Sequence, residues 1–266
     1  MTINFPRVRT SVISAAVAAP LLLASAHGAI TLVSSGSHTQ GNSSVDGTAG
    51  GPYNQTINAG ASDFLIVGVS TELGGTSAYN VNYDGNAMTL VDGLLGGDLN
   101  QNKIYILDLT GTSYTGGNAT LSFTWTATAG GDLGFGWVSL DGDLGAGESL
   151  AVVAKDDSVG QTGSNVELVT TTDTFNFANF NHNRSNSNGA LSSNLTEVYR
   201  SASFGSNAGA AGYEQGATAG THTYTWAATN PRSGTAIAIG VVIVPEPSSA
   251  ALIGLGGLAL ILRRRK

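Results

Sequence analysis

Cysteine is absent from the 266 residues. Disulfide staples, thiolate catalysis and cysteine-ligated zinc are thereby excluded, and an extracellular body must fold on its apolar core alone. Basic residues are almost as scarce, with 11 Lys and Arg against 18 Asp and Glu. Arg7 and Arg9 lie near the start and four cations lie at the end. Residues 27–247 keep only Lys103, Lys155, Arg184, Arg200 and Arg232 against all 18 carboxylates, a formal charge of −13. A body this acidic repels nucleic acid and anionic lipid and has no basic stripe for a phosphate backbone. Histidine numbers four: His27, His38, His182 and His222. No His-x-x-x-His or Glu-x-x-His spacing occurs among them, so neither a metal site nor a cofactor is expected. No Gly-x-Ser-x-Gly elbow is present. Helix-period stretches are missing between the two ends.

What the chain has in quantity is Gly, Ser, Thr and Asn, punctuating short apolar alternations. That pattern predicts an all-β fold, an antiparallel β-sandwich of jelly-roll type spanning residues 27–244, flanked by an N-terminal signal helix and a C-terminal hydrophobic helix. Strands are expected over residues 30–34, 53–58, 64–70, 78–83, 87–91, 103–109, 118–127 and 133–140. A second set covers 149–154, 166–171, 174–180, 196–204, 221–229 and 235–244. Asp84-Gly85-Asn86 is a hairpin signal. Residues 36–51 and 181–194 read as polar loops. The stretch Phe123-Thr-Trp125-Thr-Ala-Thr128 echoes Tyr224-Thr-Trp226-Ala-Ala-Thr229, each followed by a Gly-containing turn and an apolar strand. A weaker echo links residues 64–72 with 149–157. Two hairpins meeting one packing demand is the favoured explanation over two related half-sheets.

The ends carry addresses. Arg7 and Arg9, an apolar run over residues 12–23 and then Ala24-Ser25-Ala26 follow the order of a secretory signal peptide, with cleavage by signal peptidase expected after Ala26. At the other end stand Pro245, Glu246 and Pro247, thirteen residues (250–262) drawn only from Ala, Leu, Ile and Gly, and the cluster Arg263, Arg264, Arg265 and Lys266. The prolines stop the preceding strand. The apolar run spans roughly 20 Å as a helix, short for a bilayer core of about 30 Å, and its terminal cations fit the positive-inside rule.

This tail resembles the PEP-CTERM sorting signal of exported bacterial proteins. The resemblance implies recognition by exosortase, processing near Pro245-Glu246-Pro247, a transient transmembrane helix, and a destination at the cell surface or in the extracellular matrix, where exopolysaccharide is a candidate partner. Tyr83-Asp84-Gly85, Met88-Thr89-Leu90 and Ile104-Tyr105-Ile106-Leu107 resemble exported jelly-roll domains joined to such tails.

Candidate chemistry in the body is sparse. Asp141-Gly-Asp143 with Glu148 has the charge of a calcium loop but fails the EF-hand template, and reads as a solvated turn, as does Asp156-Asp157. Trp125, Trp137 and Trp226 could stack on sugars, although their apolar alternating surroundings favour core packing. The expectation is a non-enzymatic exported protein, with a carbohydrate-binding, lectin-like module as the alternative and a glycan-active hydrolase as a second.

Overall fold

The computed structural model describes residues 29–45, 52–72, 79–96, 100–125, 131–144, 148–160, 164–183, 189–204, 207–227 and 233–245. The regular structure there is all strand. The signal peptide and residues 246–266 lie outside, and with them both expected helices.

The first half holds β1 (Ile30–Val45), β2 (Tyr53–Asn58), β3 (Phe64–Glu72), β4 (Tyr79–Tyr83), β5 (Asn86–Ala87), β6 (Thr89–Leu95), β7 (Asn100–Asp108), β8 (Asn118–Trp125) and β9 (Gly131–Gly142). The second holds β10 (Glu148–Gly160), β11 (Ser164–Thr170), β12 (Thr174–Asn183), β13 (Thr196–Phe204), β14 (Asn207–Ala217), β15 (Gly220–Trp226) and β16 (Gly234–Pro245). All pairings are antiparallel. The two inner sheets run β1-β9-β3-β7-β6 and β10-β16-β12-β14-β13; the outer sheets run β2-β8-β4-β5 and β11-β15.

These orders are the same order written twice. First, last and third strands lead each inner sheet, and β2-β8 corresponds to β11-β15. Even β4 has a vestige, since Leu191 bridges to Trp226 where Tyr79 pairs with Trp125. The Phe-Thr-Trp and Tyr-Thr-Trp stretches therefore occupy equivalent strands of two sandwiches with one topology. The weaker echo does not correspond: it sets β3 beside β10, whose topological counterpart is β1.

The four sheets stack in layers, because each buries an apolar face against the next. Phe123, Phe135, Tyr105 and Trp137 fill the first gap. Ile66, Phe177, Ile237 and Ile239 fill the middle gap between the sandwiches. Phe180, Tyr224 and Trp226 fill the third. Both inner sheets are thus covered on two sides, which is why residues 64–70 are apolar without alternation. In β16 the isoleucines face the middle gap while Ala236 and Ala238 face the third, leaving room there for the Tyr224 and Trp226 rings.

The middle gap turns polar along part of its length. Asn179 Nδ2 donates to Asn102 Oδ1 at 2.7 Å, and Asn102 Nδ2 donates to the Asn179 carbonyl at 2.9 Å and that of Thr235 at 3.1 Å. Asn181 Nδ2 reaches the carbonyls of Thr71 and Gln101, and Tyr199 Oη lies 3.0 Å from Ser70 Oγ. Gly68 and Gly136 are cross-strand partners beneath this seam. A Cβ at Gly136 would sit 2.5 Å from Tyr199 Cδ1, and one at Gly68 would sit 2.7 Å from Asn179 Cγ. The glycine pair is the notch that seats the second sandwich on the first.

Several expectations are corrected by this arrangement. Residues 36–45 continue β1 instead of looping, because Gly36 lets the Trp137 ring lie across the strand, 2.9 Å from where a Cβ would be. Asn181 and His182 are buried in β12, not in a polar loop. Asp156 and Asp157 lie in β10, an edge strand where charge discourages strand addition. Strands β15 and β16 do not form a hairpin; they enter different sheets, as do β8 and β9. The Asp84-Gly85 hairpin is present, with φ of 50° and 78° at its two central residues, as a type I′ turn requires.

Burial of His182 has a titration consequence. Its ring lies edge-on to Trp226 at 4.5 Å, and desolvation pushes its pKa down to about 4. The unfolded chain takes up this proton near pH 6.5 and the folded chain only near 4, so stability is intact above pH 6.5 and is lost as pH falls through that window. The expected loss is about 2 kcal/mol at pH 5. Chemical denaturation of wild type and His182→Gln at pH 7 and pH 5 measures it; equal pH slopes in the two proteins would rule it out.

Candidate functional site

The tail leaves the body from β16. Glu148 opposes Pro245 on the β10 side, while pairing with β12 ends at Val241. Pro245 thus sits where one flank of the strand is already free, so its missing N–H leaves no partner unsatisfied on that side. A cavity of about 670 Å³ adjoins the exit and is lined by Ala29, Ile30, Val153, Phe175, Val242 and Val244 among others. It touches both the start and the end of the body. Gln215 Nε2 donates to the Ile30 carbonyl at 3.3 Å, fixing the first strand at this end. The Ala24–Ala26 cleavage signal, Glu246, Pro247 and Arg263, Arg264, Arg265 and Lys266 lie outside the described residues.

The same end gathers carboxylates. Gly142 N donates to Asp63 Oδ2 at 3.2 Å. The Asp63 carboxyl is pushed up by burial first, then by a hydrogen bond with Asp141 and by the charges of Asp141 and Asp108. Asp141 therefore meets Asp63, a neighbour that no local spacing announces. Among the described residues no group of three or more His, Asp or Glu side chains is arranged to hold a metal ion.

The histidines and tryptophans are placed by packing. His38 lies against Tyr53 and Phe135, with ring centroids 5.8 and 6.0 Å away. In His222, Nδ1 is 3.2 Å from Glu214 Oε2 and Nε2 is 2.8 Å from the Thr218 carbonyl. Tyr224 Oη donates to the same Glu214 oxygen at 2.7 Å and accepts from Asn176 Nδ2 at 2.6 Å. This chain of contacts ties β15 to β14 and β12. Sequence spacing does not announce it, because its members lie far apart along the chain. Trp137 and Trp226 are 6% and 1% exposed, and Trp226 Nε1 donates to the Gly189 carbonyl at 2.8 Å. The Trp125 side chain lies outside the described residues.

A second cavity of about 690 Å³ opens between β6, β7 and β10. Phe64, Val91, Ile106, Leu150 and Val152 line it, with Asp108 as its carboxylate and Lys155 at its edge. The exit cavity likewise holds one carboxylate, Asp173. Neither brings together the carboxylate pair that glycoside hydrolysis uses.

No curated protein and no solved structure matches the chain. A family model does match at the C-terminus, starting on the penultimate residue of β16. Residues 244–266 are a PEP-CTERM protein-sorting motif.

Proposed function

We propose that the body is a non-enzymatic component of the cell surface or extracellular matrix. The motif itself implies an exported protein, held in the membrane and then processed by an exosortase-type enzyme. That is the observation that carries the reading, because the motif starts at the last two residues of β16 and so follows the strands of the body instead of interrupting them. The secretory signal read in residues 1–26 supplies the route out. The non-enzymatic part draws support from the His222 ring, both of whose nitrogens lie against oxygens of the protein itself, and from two cavities with one carboxylate each. The lectin-like alternative loses two of its three stacking candidates, since Trp137 and Trp226 are core residues.

Replacing Pro245, Glu246 and Pro247 together by Ala tests the reading in the producing cell. The apolar run and its cations stay, so the protein should accumulate as a full-length membrane form, and released protein should fall at least tenfold. Release at the wild-type level would refute processing at this motif.

A further inference from the structure

The outer face of the β2-β8-β4 sheet is a grid of uncharged hydrogen-bonding side chains. Register places Asn54, Ser122 and Asn82 in one row across three strands. Thr56 and Thr120 form the next row, and Asn58 and Asn118 the one after. Thr124 and Asn80 flank the first row on its other side. Neighbouring strands stand about 4.8 Å apart and alternate residues about 6.7 Å apart, and no register shift interrupts the pairing, so the grid is regular. None of these nine residues is charged; Asp84 stands at the rim, in the turn beside Thr120. Asn58 accepts a hydrogen bond from Gly60 N at 2.9 Å. Among the described residues the other eight side chains make no hydrogen bond within the protein, leaving hydroxyls and amides of both polarities open.

The fold does not demand such a face. The equivalent outer sheet, β11-β15, also turns Asn165, Thr221, Thr223 and Thr225 outward, but Glu167 and a largely exposed Val169 interrupt its polar rows with a charge and an apolar side chain. Charge on the grid would favour an ionic partner, and its absence in a body of −13 selects against one: a polyanion is repelled by the whole, and a polycation is drawn to the carboxylates elsewhere. A neutral polyol gains most here. It offers hydroxyls that donate and accept, amide and hydroxyl groups are cheaper to desolvate than ions, and short side chains on a rigid sheet lose little rotamer freedom on binding. We propose that this face binds a neutral, hydroxyl-rich polysaccharide. The assignment extends the surface-or-matrix reading but rests on the face alone, so a chain with an inactive sorting motif would still bind.

The test uses full-length chain in a polyoxyethylene detergent, mixed with cellulose or chitin particles and, separately, with alginate gel as an anionic polymer. Wild type should be depleted onto at least one neutral polymer, equally within twofold at 50 and 500 mM NaCl, and should pass through alginate. The pair Thr56→Lys and Thr120→Lys should cut retention at least tenfold, whereas Thr223→Lys on the other outer sheet should bind as wild type. If the lysine pair lowers the melting temperature, the near-isosteric pair Asn54→Asp and Asn82→Asp decides instead. Failure on both neutral polymers, unchanged retention by the face variants, or binding confined to alginate would each overturn the assignment.

Discussion

Replacing Gly136 with Val should lower the melting temperature by roughly 6–12 °C, the equivalent of about 3 kcal/mol in a body of this size. Even a single Cβ here falls 2.5 Å from the Tyr199 ring and 3.1 Å from Val198 Cγ1. The ring cannot swing aside cheaply, because Tyr199 is buried and its hydroxyl lies within hydrogen-bond distance of Ser70 Oγ. Moving it strands a polar group in the middle gap, which adds the cost of lost hydrogen bonding to that of overpacking. The cause can be separated from a general intolerance of the site by a double-mutant cycle. Gly136→Ala alone should destabilise clearly, and in a Tyr199→Ala background it should cost less than about 1 kcal/mol. Additive costs would mean that the notch does not seat Tyr199.

Truncation after Val244 should have the opposite profile, a complete change of location with almost no change of fold. Residues Ser149 to Gly160 keep their β16 partners, and only the Glu148–Pro245 pairing is lost. The melting temperature should move by less than about 2 °C, as expected for a terminal residue outside the core. The apolar run at 250–262 has no polar face, so it gains little on a solvated sheet and much in lipid, at about 0.8 kcal/mol per buried methylene. The truncated chain should therefore appear soluble and folded outside the cell, with none in the membrane fraction. An insoluble or unfolded product would place the apolar run in the core and end the sorting interpretation.

The sequence announces its strands where one face meets water, and also where both faces carry large apolar residues, as in β3 and β16; it fails where a doubly covered strand is built of small or polar residues. β2 and β8 alternate and are legible residue by residue. β14 escapes notice, because Asn207-Ala-Gly-Ala-Ala-Gly212 carries no large apolar side chain; it is buried between larger neighbours that need the space. Asn181 and His182 look like loop residues and are core, since their amide and ring partners come from sequence-distant strands. The doubled topology is hidden for a related reason. The first gap is filled by large aromatics and the third by aromatics against alanines, so equivalent strands keep their alternation and lose their identities. Only the Phe-Thr-Trp and Tyr-Thr-Trp pair survives as a trace. At the candidate site the division is sharper. The tail is legible because a sorting address is read as sequence, whereas the Asp63–Asp141 contact and the polar grid exist only once strands are in register.

The first strand begins and the last one ends beside the same cavity. The sorting motif, which starts at Val244, is therefore attached at one pole of the body. β10 begins opposite Pro245, and its 13 residues carry the chain about 43 Å away from that pole. A cut at the tail takes no strand from either outer sheet, so the rows of Asn and Thr on β2, β8 and β4 are the same before and after processing.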